Sequence, residues 1–323
     1  MSAACPAAHA QAADRLGLIR FVAPGVAAAG GAVLDVVAPP LAGQVLELPV
    51  AGDGSPCRDG RHGVVHYRCD DSLLFAVCCL DEDPAALPTP LQQATQAAYA
   101  ALFDCLAANG YPHVLRVWNY LPQINLESHG SERYRQFNAG RQAAFAAAGR
   151  ALSGAVPAAC ALGVGSGGLR IGLLAGRQPA QAVENPRQVS AYDYPPQYGA
   201  KSPTFARAGR FSVAGEPRLY VSGTAAIVGH RSLHIDDVIA QTRESIANLA
   251  AVVAAAGAPF TLAPLAYLVY LRDPADLPWV REQCRQQLGA QARLGFVQAD
   301  VCRSELLVEI EACSLPAGVE TWP

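Results

Sequence analysis

The sequence predicts an α+β fold made of two tandem copies of one unit, each a mixed sheet with two helices packed on one face. Three observations carry this. With 323 residues, 51% of them hydrophobic, the chain has length for two domains and enough apolar residues to bury their cores. The order strand, strand, helix, strand, helix, strand, strand recurs in both halves. Superposing Gly110 on Gly257 places Tyr120 on Tyr267, Leu121 on Leu268 and Leu102 on Leu249 without a gap.

Residues 1–45 are rich in Ala, Gly and Pro and show only a strand at Ala32–Val37. Gly63–Tyr67 and Leu73–Leu80 read as a hairpin turning at Asp70-Asp71-Ser72. Leu91–Ala108 has apolar residues at helical spacing and stops at Asn109-Gly110, where glycine supplies the left-handed cap. A strand at Val114–Leu121 precedes a helix over Ser131–Arg150, with Ser131 as N-cap. Strands at Ala158–Val164 and Leu169–Ala175 follow, flanking a glycine-rich turn.

The second half gives strands at Arg218–Gly223 and Ala225–Val228, then a helix over Asp236–Ala256 ended by Gly257. A strand at Leu265–Leu271, a helix over Pro278–Gln291 and a closing hairpin of Phe296–Val301 with Leu306–Ala312 complete it. Between the halves runs a Tyr- and Pro-rich connection of about 25 residues without regular structure, long for a mere linker. Its tyrosines need burial or a partner, which places the segment over a site. The expected division is residues 1–182, a connecting segment 183–209, and 210–323.

Net charge is −3 and Lys201 is the single lysine, so positive charge is almost entirely arginine. No basic stripe appears, so nucleic acid is not an expected partner. Arginine instead suits planar carboxylates, which it grips through paired hydrogen bonds. Residues 1–15 lack the basic and apolar segments of a signal peptide, and no apolar run is long enough to span a bilayer. A cytoplasmic protein without membrane association is expected. The ten cysteines form no C-x-x-C pair and read as free thiols.

Several motifs fail on context. Gly163-Val164-Gly165-Ser166-Gly167-Gly168 matches G-x-G-x-x-G, but a strand follows it where a dinucleotide site needs a helix, so it reads as a hairpin turn. The pairs His62/His66 and His230/His234 lack a third ligand and the H-E-x-x-H pattern. Neither a G-x-S-x-G elbow nor a P-loop is present. No metal and no cofactor are expected.

Two constellations remain. Tyr134 and Arg141 are two helical turns apart and share one face, as a carboxylate clamp would require. Near the end of the chain, Val308 and Ile310 alternate with Glu309 and Glu311, and Cys302 and Arg303 lie just upstream. Charged residues on strands are usually solvated, and spacing alone does not choose between the two glutamates.

Taken together, Arg116-Val-Trp-Asn-Tyr120, Glu132-Arg-Tyr-Arg-Gln-Phe137, Val183-Glu-Asn-Pro-Arg-Gln-Val-Ser190, Val221-Ser-Gly-Thr-Ala225, Ile227-Val-Gly-His230 and the run from Val301-Cys-Arg303 to Glu309 resemble the chorismatases. The second half also resembles the reactive-intermediate deaminase (RidA, YjgF) superfamily, whose trimers carry sites at subunit interfaces. The resemblance implies tandem RidA/YjgF-like, chorismate-mutase-like units, the first degenerate and the second carrying the acid, with the site between or beside them.

It further implies cleavage of chorismate to pyruvate and a cyclic acid, a small-molecule substrate with two carboxylates and an enol ether. Glu309 would be the acid that protonates the enol ether. A carboxyl protonated near neutral pH needs its pKa raised by burial. The members that aromatise the ring carry a cysteine at the position of Cys302 and a glycine at that of Gly223, where small size leaves room for the ring. That implies 3-hydroxybenzoate, with or without 4-hydroxybenzoate, rather than a dihydroxycyclohexadienoate. Tyr134, Arg141 and Tyr194 are implied as substrate contacts, and Arg293 as the arginine near the superfamily's carboxylate site. Arg303 and Glu305 are expected at a solvated hairpin turn. A non-catalytic or imine-deaminating RidA-like protein is the alternative of a different class. Internal duplication makes a monomer feasible without excluding an oligomer.

Overall fold

A computed structural model describes residues 15–315 of the chain. The stretch with least sequence signal forms a complete sheet: β1 (Arg15–Val22), β2 (Val33–Val37) and β3 (Val45–Ala51), in the order β2-β1-β3. The first unit follows with β4 (Arg58–His62), β5 (Val65–Cys69), β6 (Leu73–Leu80), α1 (Pro90–Asn109) and β7 (His113–Pro122). A small two-residue ladder, β8 (Glu127–Ser128) with β9 (Ser131–Glu132), leads into α2 (Arg133–Ala147), β10 (Ala158–Val164) and β11 (Leu169–Gly176). The second unit has β12 (Gln181–Val183), β13 (Ala208–Val213), β14 (Glu216–Thr224), the small ladder β15 (Ile227–Val228) with β16 (Arg231–Ser232), α3 (Val238–Ala256) and β17 (Ala266–Leu271). It closes with α4 (Leu277–Leu288), β18 (Arg293–Gln298) and β19 (Val308–Cys313).

The two large sheets share one topology. Their orders are β4-β5-β6-β11-β7-β10 and β12-β13-β14-β19-β17-β18, with β7–β10 and β17–β18 parallel and the remaining ladders antiparallel. The α+β duplication read from element order is therefore present. The gapless superposition is not. Arg116 and Ala266 each pair with the first residue of the parallel neighbour, so Tyr120 matches Tyr270 rather than Tyr267. Tyr120 and Tyr270 face the inter-sheet core, whereas Tyr267 faces the helices. The longer connection between α3 and β17 causes the slip.

Helix formation follows from the local chemistry. Thr89 Oγ1 accepts from Gln92 N at 3.2 Å with Pro90 in the first turn, and Gly110 closes α1 at φ 77°. Leu91, Ala98, Leu102 and Leu106 lie on the buried stripe against Ile171 and Leu173 of the sheet. Truncating such a side chain, as in Leu102→Ala, costs roughly 2–5 kcal/mol. In α2, a Cβ at Gly140 would overlap Gln92 O, so glycine permits the close approach to α1. Ser131 does not cap this helix: it pairs with Ser128 in the small ladder, and Glu132 occupies the cap position without a side-chain bond. Asp237 Oδ1 caps α3 through Ala240 N at 2.9 Å.

Two expected hairpins are not hairpins. β10 and β11 lie on opposite sides of β7, and β18 and β19 on opposite sides of β17, because a central strand inserts between each pair. The glycine-rich turn of Gly163–Gly168 is thus a crossover connection. The second sheet starts with Gln181–Val183, and the connecting segment is an insertion between its first two strands.

Helices cover one face of each large sheet, and the opposite faces meet. The N-terminal sheet packs into this shared core. Phe21 sits edge-on to Tyr120 at 5.7 Å and to Tyr270 at 6.1 Å, touching both units equally. Ser222 Oγ accepts from Ala159 N at 2.9 Å and donates to Ala206 O at 2.6 Å. Gly163 and Asp300 exchange backbone bonds of 2.7 and 2.9 Å. β10 of the first unit is thereby joined to the second.

Candidate active site

A cavity of about 450 Å³ opens at this seam, a volume within the usual range for small-molecule sites. One wall is β10, through Ala159, Cys160 and Ala161, with Tyr134 and Arg141 of α2 beside it. The other wall holds Gly223 of β14, Glu309 of β19 and the loop bearing Cys302 and Arg303. Tyr194, Tyr198 and Arg207 of the connecting segment cover it.

Alternation on β19 explains how an acid reaches this place. Val308, Ile310 and Ala312 pack under the helices, so Glu309 and Glu311 point into the seam, each 4% exposed. Every residue of β19 is buried, which overturns the solvated-face reading.

The structure also separates the two glutamates. Glu311 lies outside the cavity lining, takes an ion pair from Arg116 Nη2 and accepts from Tyr270 Oη at 3.0 Å. Glu309 lines the cavity, and no hydrogen bond contributes to its ionisation. Burial, then the charge of Glu311, push its pKa up to about 8, against opposition from Arg116 and Arg207.

β14 makes room for this carboxyl. Its ladder with β19 shifts register between Val221 and Thr224, and a Cβ on Gly223 would overlap Glu309 Oε1 and lie 3.3 Å from Cys160 Cβ. The glycine expected to clear space for a ring is in contact with the acid itself.

Cys302 lines the cavity, and burial followed by Glu309 pushes its thiol up to about 12. It is therefore a neutral thiol at physiological pH. Burial also raises the Tyr134 phenol, whose ring stacks on Phe137 at 6.4 Å.

Arg141 is 2% exposed, lies over Phe137 at 5.0 Å and donates from Nη2 to Asn138 Oδ1 at 2.8 Å. Its Nε has no partner among the described residues. Tyr194 Oη accepts from Arg207 Nη2 at 2.8 Å. The segment carrying Tyr194 is pinned to α3 where Arg187 bonds Asn248 Oδ1 at 2.7 Å and Glu244 Oε1 at 2.6 Å.

Five sequence-derived contacts or acids, with Tyr194 from the cover, thus meet here: Glu309, Cys302, Tyr134, Arg141, Gly223 and Tyr194. Arg293 does not. It begins β18 opposite Ala266, at the far end from the Tyr270–Glu309 pair, and its Nη2 bonds Pro264 O. Leu294, not Arg293, packs toward the helix-side core there.

Two arginines were missed or misplaced. Arg207 is 5% exposed with Nε unpartnered, and no spacing signal marked it. Arg303, expected at a solvated hairpin turn, lies in a loop that crosses over β17. Its guanidinium instead lies 4.0 Å from the Tyr198 ring centre, donates from Nη1 to His230 O and Ser232 Oγ at 3.0 Å, and leaves Nη2 buried and unpartnered. Glu305 also lines the cavity and accepts from Ser232 Oγ at 2.8 Å.

Buried guanidinium N–H groups without partners are costly unless something accepts from them. Arg141, Arg207 and Arg303 all border one cavity, which makes it complementary to an anion with carboxylates. Among the described residues no group of three or more His, Cys, Asp or Glu could hold a metal ion, and no helix is long and apolar enough to cross a membrane.

Comparison with known proteins agrees with this geometry. Residues 52–175 match the family described as Chorismatase FkbO/Hyg5-like, N-terminal. A 3-hydroxybenzoate synthase of Streptomyces hygroscopicus is 40% identical over 68% of this chain and 68% of its own. A chorismatase of Streptomyces rapamycinicus is 35% identical over 79% of this chain and 78% of its own. The crystal structure of a chorismatase superposes with a TM-score of 0.81 and 30% identity, covering 94% of this chain and 93% of that one. Near-complete coverage in both directions joins sequence and fold to a single conclusion: the chain belongs to the chorismatase family.

Proposed function

We propose that this protein cleaves chorismate, releasing pyruvate and forming 3-hydroxybenzoate, with or without 4-hydroxybenzoate. The observation that carries the reading is Glu309: a buried carboxyl with a pKa raised to about 8, in the wall of a cavity bordered by three arginines. At neutral pH it holds a proton to give. The names of the relatives agree, one being a 3-hydroxybenzoate synthase.

The arginines would take the two carboxylates of chorismate and hold the enol-ether methylene toward Glu309. Protonation of that carbon moves the double-bond electrons and leaves an oxocarbenium at the pyruvyl carbon. The Glu309 carboxylate left behind is an anion facing the new cation. Cleavage of the bond between the ring carbon and the ether oxygen turns that oxygen into the ketone of pyruvate, and the proton the ring loses on aromatising returns to the Glu309 carboxylate. Pyruvate and hydroxybenzoate together contain all the atoms of chorismate, so aromatisation consumes no net water. The dihydroxycyclohexadienoate route takes up one water. Cys302, a neutral thiol close to Glu309, is suited to passing a proton or steering the intermediate, and Gly223 keeps the acid seated.

The test is incubation of the purified protein with chorismate and chromatography of the products. Pyruvate with hydroxybenzoate is expected. No pyruvate would overturn the enzymatic reading, and pyruvate with only a non-aromatic diene would overturn the aromatising one.

A further inference from the structure

Glu309 is not the only carboxyl in the seam. Glu311, two residues on and on the same strand face, lies about 7 Å further along by strand geometry. It is bound on two sides: Arg116 reaches it from β7 of the other unit, and Tyr270 Oη donates at 3.0 Å. Tyr270 in turn shares a 2.9 Å hydrogen bond with Tyr120, and Arg116 lies 5.2 Å from the Trp118 ring centre. Both members of the ion pair are buried, at 1% for Arg116 and 4% for Glu311. A buried pair of this kind gains little stability over apolar residues of equal volume, so its presence beside the proton donor points to another use.

We propose that the Arg116–Glu311 pair is a positioning element for the acid: it fixes one anion beside Glu309 so that the proton stays on Glu309 until substrate arrives. This rests on Glu309 being the donor. The groups facing Glu309 leave Glu311 alone in this role. From β10 comes Cys160, from the β18–β19 loop Cys302, from α2 Tyr134 and from β17 Tyr270, all held neutral by burial. Of the charged neighbours, Arg207 before β13 and Arg116 on β7 favour the carboxylate and Glu311 opposes them; Arg141, Arg303, Glu132 and Glu305 line the same cavity. Burial is the largest influence raising the Glu309 pKa and the two cations work against it; the anion of Glu311 adds to burial and outweighs either cation taken singly. Burial raises the Glu311 pKa; the ion pair with Arg116 and the hydrogen bond from Tyr270 oppose that rise and favour the anion.

The test is the pH dependence of pyruvate release by the full chain with saturating chorismate. In Glu311→Gln, Arg116 is left unopposed, and the alkaline limb is expected to move to lower pH by about one unit or more. In Arg116→Met/Glu311→Gln both charges are gone, and the limb is expected between those of the single variant and the wild type. A folded Glu311→Gln protein with a slower rate but an unmoved limb would overturn the proposal, reducing the pair to a structural one. Should the single variant not fold, the double variant decides: a limb below the wild type supports the proposal, and a coincident limb overturns it. Glu309→Gln is measured alongside. Activity surviving there would overturn the identity of the donor itself, a failure distinct from that of the pair.

Discussion

The equivalent ladders of the two units, β6–β11 and β14–β19, have the same place in the same topology and opposite character. β6–β11 keeps its register throughout. Opposite Tyr120 stands Arg170, and opposite Trp118 stands Gly172, whose missing side chain is replaced by Leu34 and Phe75. In β14–β19 the register breaks at Ser222-Gly223, and the residues opposite Tyr270 and Leu268 are Glu309 and Glu311. One copy carries no carboxyl at these two positions: Arg170 pairs outward with Asp81, and Leu34 and Phe75 fill the space at Gly172. The other gives up ladder bonds and apolar burial there, and in exchange holds two carboxyls. The cavity opens where the repeat is least regular.

The sharpest way to break this comparison is to remove the acid. Glu309→Gln should lower pyruvate release at least about a hundredfold, the scale of a lost general acid, with an unchanged fold by circular dichroism. Unaltered turnover would move the chemistry elsewhere. The same variant reports on stability. The folded protein holds the Glu309 proton more tightly than the unfolded chain, since the pKa rises from 4.5 to about 8. That stabilisation is fully present below about pH 4.5 and is lost as pH rises through about 8. Glu309→Gln should therefore melt a few degrees above wild type at pH 9, with the gap closing toward pH 5.

Restoring a side chain to the bulge is the next perturbation. Gly223→Ala pushes a methyl into the Glu309 carboxyl and should reduce kcat about tenfold or more, since small misplacements of reacting groups are expensive. Steady-state kinetics decides it. Cys302→Ala should change the ratio of aromatic products more than total pyruvate, measured by chromatography. An equal ratio would return that thiol to a packing role. The smallest effect belongs to Arg293→Ala, which should leave kcat/KM unchanged because the residue lies at the far end of β18.

Duplication, the helix positions and the strand that carries Glu309 are legible because each leaves a periodic trace. Leu91–Ala108 shows one apolar stripe, and Glu309 alternates with Val308 and Ile310. Strand insertion left no local signal. A chain that pairs β10 and β11 on either side of β7 looks the same in sequence as one that pairs them directly, so both crossovers were read as hairpins. That error displaced Arg303 into solvent. The Tyr120–Tyr267 match failed for a related reason: loop length between helix and strand shifts register, and one residue of slip turns a side chain to the other face. Of the N-terminal sheet only β2 is legible, as the strand expected at Ala32–Val37; β1 is buried along nearly its whole length and so shows no alternation, and its Phe21 packs against Tyr120 and Tyr270. Arg207 had no pattern at all, only a position in space.

The seam has a consequence for how such an enzyme diversifies. In an assembly of identical subunits, any substitution in one wall is copied into every site and every interface at once. Here Cys160 and Glu309, which meet through Gly223, are encoded at separate positions of one chain and belong to different repeats. Each can be selected without dragging its counterpart along. The residues near Arg170 and Gly172 answer only to packing, and a change in β10 or at Cys302 reshapes the cavity wall while the strand of Glu309 stays as it is.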